Sequence, residues 1–228
     1  ADGGEWNTAG NWSLGHVPSD TEDTTFTGIT TAGVSLTITT TAAVSRNIDL
    51  STAGAAFIWS TEGNTYVYGD LTMKFGMTDS RQSGTYVYAS ATITSNNVVF
   101  NRGIFVNTAN AVTLTLADNL NLGVNGFCIK NTDSGTNVHT LITNNHTITC
   151  GVFEDNGKTG PLTLTLGSST INCTNVSFPA ATLTVTANTA IFNIADGTNT
   201  VICLPNGTVK LGQNVVATGT FTHSGGGL

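Results

Sequence analysis

Aliphatic and polar residues alternate with a period of two along most of this chain. Successive side chains of a strand point to opposite faces, so such a segment is predicted to be a strand with its aliphatic side inward and its polar side outward. Turn-forming Asn, Gly, Asp and Ser separate these segments at short intervals, and no window has the period of an amphipathic helix. The clearest alternating segments are 35–39 (SLTIT), 113–116 (TLTL), 162–166 (LTLTL) and 182–186 (TLTVT).

A longer repeat accompanies the alternation. Residues 66–68 (YVY) recur at 86–88, and Cys128, Cys150 and Cys173 follow one another at nearly the same interval. Self-similarity with a period of about 20 residues is typical of a β-solenoid, in which stacked coils bury a continuous core. We predict an all-β, right-handed parallel β-solenoid (β-helix) of about nine coils over residues 29–228, roughly 45 Å long. A β-sandwich or jelly roll is the alternative, although it would not place Cys, Leu and Tyr at one shared interval.

The opening segment, residues 1–28, has a different composition. It contains, in this order, Trp6, Asn11-Trp12, Gly15, Pro18 and Asp20. This order resembles the Trp-rich segment that opens many bacterial autotransporter-like and phage-associated β-solenoid proteins. The resemblance covers about a tenth of the chain and implies an architecture and a surface location, not a reaction. Two tryptophans can cover the unpaired edge of the first coil, so we predict an N-terminal cap.

Composition excludes several classes of protein. Only 9% of residues are charged, the net charge is −7, and 43 Thr and 24 Asn supply most of the polarity. Helical bundles and charge-rich disordered chains have other compositions. The scarcity of Lys and Arg, seven in all, argues against nucleic-acid binding. The chain also lacks a run of about 18 apolar residues, so we expect no membrane span.

Three carboxylates are candidate catalytic residues. Asp133 and Asp155 have the same separation in sequence as Cys128 and Cys150, and Glu154 is adjacent to Asp155. Carboxylates about 5 Å apart serve retaining glycosidases, so this group would fit a polysaccharide lyase or glycoside hydrolase. Asp-Ser-Gly at 133–135 and Asp-Asn-Gly at 155–157 also match ordinary turns, in which Asp bonds its own backbone. We favour turns.

Metal and thiol chemistry have few candidates. Asp20, Glu22 and Asp23 offer oxygen ligands for Ca²⁺, which is the one candidate cofactor. These three residues do not match the EF-hand pattern. Cys128, Cys150 and Cys173 are predicted to stack on one inward face as buried free thiols, with a disulfide between adjacent coils as the alternative. The state of Cys203 is left open. His139 and His146 are expected in turns or on an exposed face.

Two outward surfaces are candidates for binding. If Val67 and Val87 point inward, then Tyr66, Tyr68, Tyr86 and Tyr88 form an external patch, which Trp59 would extend and which suits sugar rings or another protein. The alternative is an inward aromatic stack.

Rows of outward threonines can order water and bind ice. The pairs Thr113/Thr115, Thr147/Thr149, Thr163/Thr165 and Thr182/Thr184 are unevenly spaced along the chain. Their spacing is too irregular for one flat surface, and Thr favours exposed strands in any case. Ice binding is therefore a minor alternative.

The chain ends favour assembly. The sequence begins with Ala1 and shows no leader, so we expect a removed leader or a fragment. Residues 220–228 contain no capping helix, and an uncovered coil edge invites association, so we expect a homo-oligomer or a larger assembly. Together these observations favour a non-catalytic extracellular structural or adhesive module, either a cell-surface adhesin segment or a virion or tail-fibre component, with a glycan as candidate ligand. The polysaccharide-degrading enzyme is the second hypothesis.

Overall fold

The protein is an all-β solenoid. A computed structural model describes residues 4–27, 29–38, 42–129, 135–178, 181–186, 190–195, 201–202 and 222–223. In these residues each strand pairs in parallel with strands of neighbouring coils, and the strands stack into three sheets. The helical structure within the described ranges is one 3₁₀ turn, Ala9–Asn11, and none of it has the length and apolar character to cross a bilayer.

The strands are numbered β1 to β23 in chain order. The four-stranded sheet holds β1 Gly4–Glu5, β3 Ser35–Ile38, β6 Ile58–Thr61 and β9 Thr78–Asp79. The eight-stranded sheet holds β2 Thr24–Thr25, β5 Ile48–Asp49, β8 Leu71–Thr72, β11 Ala91–Thr94, β13 Val112–Leu116, β16 His139–Ile142, β18 Gly160–Thr165 and β20 Ala181–Thr186. The eleven-stranded sheet holds β4 Ala43–Ser45, β7 Thr65–Val67, β10 Thr85–Val87, β12 Ile104–Val106, β14 Leu120–Asn121, β15 Phe127–Cys128, β17 Ile148–Glu154, β19 Thr170–Phe178, β21 Ile191–Ile194, β22 Val201–Ile202 and β23 Thr222–His223.

The number of coils is slightly smaller than predicted. Eight strands of one sheet enclose about seven turns of the described chain, against the nine we expected. The prediction divided the 200 residues of 29–228 evenly into coils of about 22 residues. The coils are in fact longer in places, because corner loops grow while the strands stay in register. The step from Thr113 to its ladder neighbour Thr140, for example, is longer than the step from Tyr66 to Tyr86.

Ladders of like side chains fill the core. In the eight-stranded sheet, one inward ladder runs through Ala91, Leu114, Leu141, Leu164 and Val185. Each aliphatic side chain removed from water contributes about 1.5–3 kcal/mol, so the ladders supply most of the cohesion between coils. His139 was expected in a turn or on an exposed face, and this expectation is wrong. It lies inward between Val112 and Leu162 and is almost fully buried.

The opening segment is continuous with the solenoid. Its strand β1 pairs with β3, and β2 pairs with β5. Trp6 is fully buried at the N-terminal end of the core, and its ring lies 4.9 Å from that of Trp12 and 5.8 Å from that of Phe26. The Trp12 Nε1–H donates to the Trp6 carbonyl oxygen at 2.7 Å. Trp6 thus fills the interior beside the first described strands, and Trp12 packs on it.

The cysteines form a pair, not a ladder of three. Cys150 of β17 is in register with Cys173 of β19, whereas Cys128 pairs with Glu154. The predicted common face is wrong for Cys128, because equal spacing in sequence does not give equal register when corner loops differ in length. All three are buried free thiols, and Cys203 lies outside the described residues. Burial raises the pKa of Cys173 to about 12 and also raises that of Cys150, so both stay protonated at neutral pH.

Candidate functional site

Five aromatic side chains form an outward cluster on β7, β10, β12 and the residues after β7 and β10. We call this group the aromatic cluster. The register aligns Tyr66 with Tyr86 and Tyr86 with Phe105. Val67 and Val87 point into the core from the same strands and are fully buried. The members of the cluster, all partly exposed, are Tyr66, Tyr68, Tyr86, Tyr88 and Phe105.

The rings of the aromatic cluster are arranged in two stacks and one crossed ring. Tyr68 stacks on Tyr88 with centroids 5.0 Å apart, and Tyr86 stacks on Phe105 at 5.2 Å. Tyr66 meets Tyr86 and Tyr88 at interplanar angles of 75° and 77°. Ring faces inside a stack are covered by the neighbouring ring, so Tyr66 is the member we expect to offer a ring to a ligand.

Hydroxyl and amide groups accompany these rings. Asn64 Nδ2–H donates to the Tyr66 hydroxyl at 3.2 Å, and Asn107 Nδ2–H donates to the Tyr88 hydroxyl at 2.7 Å. Burial, together with the neighbouring tyrosines, raises the pKa of Tyr68 and of Tyr86. The hydroxyls of Tyr68 and Tyr86 therefore stay protonated at neutral pH and can both donate and accept hydrogen bonds.

Trp59 does not belong to the aromatic cluster, and the prediction that it extends the patch is wrong. The alternation along β6 leaves Ile58 and Ser60 partly exposed and turns Trp59 into the core, where it is fully buried. The guanidinium carbon of Arg81 lies 4.2 Å from the centre of the Trp59 ring.

The buried Arg81 is a feature that the sequence analysis missed. Its Nε–H and Nη2–H donate to the two carboxylate oxygens of Asp79 at 2.7 and 2.6 Å. Its Nη1–H donates to the Thr85 hydroxyl at 2.5 Å, and both charged side chains are fully shielded from solvent. The signal in the sequence was an Asp and an Arg at alternate positions, which a strand places on one face. All the groups involved satisfy one another, so this network is structural.

The catalytic candidates do not form an exposed pair. Asp155 is fully buried, and its Oδ1 accepts a hydrogen bond from the Gly157 N–H at 2.9 Å, as in the turn we favoured. Glu154 is half-buried beside Cys128, and burial together with the nearby Asp155 raises the pKa of its carboxyl group. Asp133 lies outside the described residues.

Two of the three calcium candidates, Glu22 and Asp23, already have hydrogen-bonding partners within the protein. Glu22 lies 2.8 Å from His16 Nε2 and accepts from the Ser19 N–H at 2.9 Å. Asp23 accepts from Arg46 Nε–H and Nη2–H at 2.7 and 2.6 Å, and these hydrogen bonds lower its pKa. Asp20 is exposed. In the part of the chain that the structure describes, no three His, Cys, Asp or Glu side chains are grouped to hold a metal ion.

Comparison with known proteins gives no relative. No protein-family profile matches the chain, and searches of curated proteins and of solved structures return no significant match.

Proposed function

We propose that this solenoid is a non-catalytic extracellular structural or adhesive module that binds neutral carbohydrate at the aromatic cluster. The observation that carries the proposal is the set of five adjacent aromatic side chains outside a core that does not need them, since the valines of the same strands fill the interior. Exposed aromatic patches of this kind mark interaction sites.

The chemistry of the aromatic cluster suits a sugar. A pyranose offers C–H groups on one face and hydroxyls at its edge. The Tyr66 ring can contact the C–H face, while phenol hydroxyls and the amides of Asn64 and Asn107 can exchange hydrogen bonds with the edge. The aromatic cluster contains no Lys, Arg, Asp or Glu, and the raised pKa values keep Tyr68 and Tyr86 uncharged at neutral pH, which favours a neutral glycan over an acidic one.

Two further observations support a binding module over the polysaccharide-degrading enzyme. The Asp155 carboxylate bonds its own turn, and Glu154 has a thiol as its ladder neighbour, so this pair lacks the shared exposed groove that glycosidase carboxylates line. The proposed location, in a cell-surface adhesin or a virion fibre, rests on the resemblance of the opening segment. Oligomeric assembly is part of the same proposal.

The test is binding of the whole chain to an array of neutral oligosaccharides. We expect retention by the wild type and a loss of about tenfold or more in affinity for Tyr66→Ala, the equivalent of about 1.4 kcal/mol. Tyr66→Phe should keep the ring contact and lose only a hydrogen bond. Phe75→Ala is the matched control, because Phe75 is a 70% exposed aromatic residue outside the aromatic cluster.

Three results would contradict the proposal. If the wild type binds no neutral glycan, the proposed ligand is wrong. If Phe75→Ala and Tyr66→Ala lose equal affinity, the aromatic cluster is not the binding site. If the wild type releases shortened oligosaccharides and Asp155→Asn does not, the protein is a polysaccharide-degrading enzyme and the proposal of a non-catalytic module is wrong.

A further inference from the structure

The outward residues of the eight-stranded sheet include two columns that are threonine at every position but one. The first column is Thr113, Thr140, Thr163 and Thr184. The second column contains Thr92, Thr115, Ile142, Thr165 and Thr186. We call these two columns the threonine face. All its members are half-buried or exposed, as the outward side of a strand requires.

The register of the threonine face does not slip over the coils from β13 to β20. Thr163 is flanked in its column by Thr140 and Thr184, and Thr165 is flanked by Ile142 and Thr186. Neighbouring strands of a sheet are roughly 4.8 Å apart, and alternate residues of a strand are about 6.7 Å apart. The side chains of the threonine face, all threonine except Ile142, therefore form a two-dimensional array with these two repeats.

The uneven spacing of the Thr-x-Thr pairs along the sequence argues against such an array. The strand register shows that the array forms despite this uneven spacing. Thr147 and Thr149 do not belong to the threonine face, since Thr149 lies on β17 of the eleven-stranded sheet, beside Asn121 and Asn172. The steps along the first column still differ in length from one coil to the next, but the corner loops absorb the difference and the strands stay in register.

The charge pattern indicates what this face can bind. The outward positions of β13, β16, β18 and β20 carry no charged side chain, although the chain has a net charge of −7. A crystal of ice is uncharged and excludes ions, so a neutral face is electrostatically complementary to it. Water next to methyl groups loses orientational freedom, and hydroxyls at fixed spacing hold that water in place. An array of alternating methyl and hydroxyl groups thus orders its first water layer in a crystal-like way.

We propose that the threonine face binds the surface of ice. This site is separate from the aromatic cluster, which lies on the eleven-stranded sheet, and the two proposals stand or fall independently.

The test is inhibition of ice recrystallisation, with ice-crystal shaping as a second reading, using the whole chain. We expect the wild type to shape ice and Thr163→Lys, at the centre of the face, to need at least about tenfold more protein for the same inhibition. Thr149→Lys is the matched control, because Thr149 is also a half-buried strand threonine but lies on another sheet. It should retain the wild-type activity.

Folding of each variant is checked by circular dichroism. Thr163→Ser, which keeps the hydroxyl and removes only the methyl, provides a mild second variant and should show an intermediate loss. A wild type that leaves ice growth unchanged would overturn the proposal, as would equal losses in Thr149→Lys and Thr163→Lys. Binding to crystalline polysaccharide without any effect on ice would assign the face to a different ligand. Glycan binding by Thr163→Lys should be unchanged, which separates this test from that of the aromatic cluster.

Discussion

Arg81 lies in the interior of the solenoid, between the carboxylate of Asp79 and the rings of Trp59 and Phe100. Its charge is tolerated there because the carboxylate accepts two hydrogen bonds and the aromatic faces attract the cation. Asp79 also accepts from the Asn101 N–H in the following coil, so the ion pair ties two coils together. Because the desolvation of both charges offsets much of their attraction, we expect this pair to add little net stability while it holds the two coils in register.

Removing one partner of this ion pair should be more harmful than removing both. We expect Arg81→Met to lower the free energy of unfolding by about 3–5 kcal/mol, because it leaves the Asp79 carboxylate buried and uncompensated. The double variant Arg81→Met/Asp79→Leu should recover part of that loss. Urea unfolding of the single and double variants measures the coupling, and strictly additive losses would disprove it.

The long strand β17 spans a corner at which the preceding coil has two separate strands, β14 and β15. Its first half pairs with β14 and its second half with β15, so a corner that separates two strands in one coil is straight in the next. Gly151 lies at this junction, where an added Cβ would overlap the carbonyl of Val124 in the preceding coil. The strand can continue through the junction only because this position lacks a side chain.

Gly151→Ala should therefore destabilise the protein by about 1–3 kcal/mol, since backbone must move to admit the methyl group. Gly10→Ala is a suitable control, because its added Cβ would meet no neighbour within 4 Å. We expect that change to stay within about 0.5 kcal/mol of the wild type in thermal or urea unfolding. Equal effects at the two positions would show that the junction has no special constraint.

At the scale of the whole molecule, three aromatic side chains complete the core beside the first described strands. Trp6 fills the N-terminal end of the core, and Trp12 and Phe26 pack against its ring. Without this aromatic plug, the inward ladders of the first coils would meet water. The three rings thus stabilise the first coils of the stack.

We predict that Trp6→Ala lowers the free energy of unfolding by about 3–5 kcal/mol and increases self-association. Leu14→Ala in the same segment is the control, because Leu14 is 69% exposed and should change neither property. Urea unfolding and sedimentation velocity measure the two effects. A Trp6→Ala protein as stable and as dispersed as the wild type would contradict the role of Trp6 as a plug.

The sequence by itself determined the parallel solenoid and placed the four tyrosines on one face, because both follow from periods that survive in any stack of alternating strands; the burial of Val67 and Val87 in the structure decided that this face is the outer one. Only the tertiary structure decided which residues share a column. Corner loops vary in length without disturbing register, so equal spacing misplaced Cys128 and unequal spacing concealed the threonine face. The positions of Trp59 and Arg81 also required the fold, because the rings of Trp59 and Phe100 that face the buried guanidinium come from other coils.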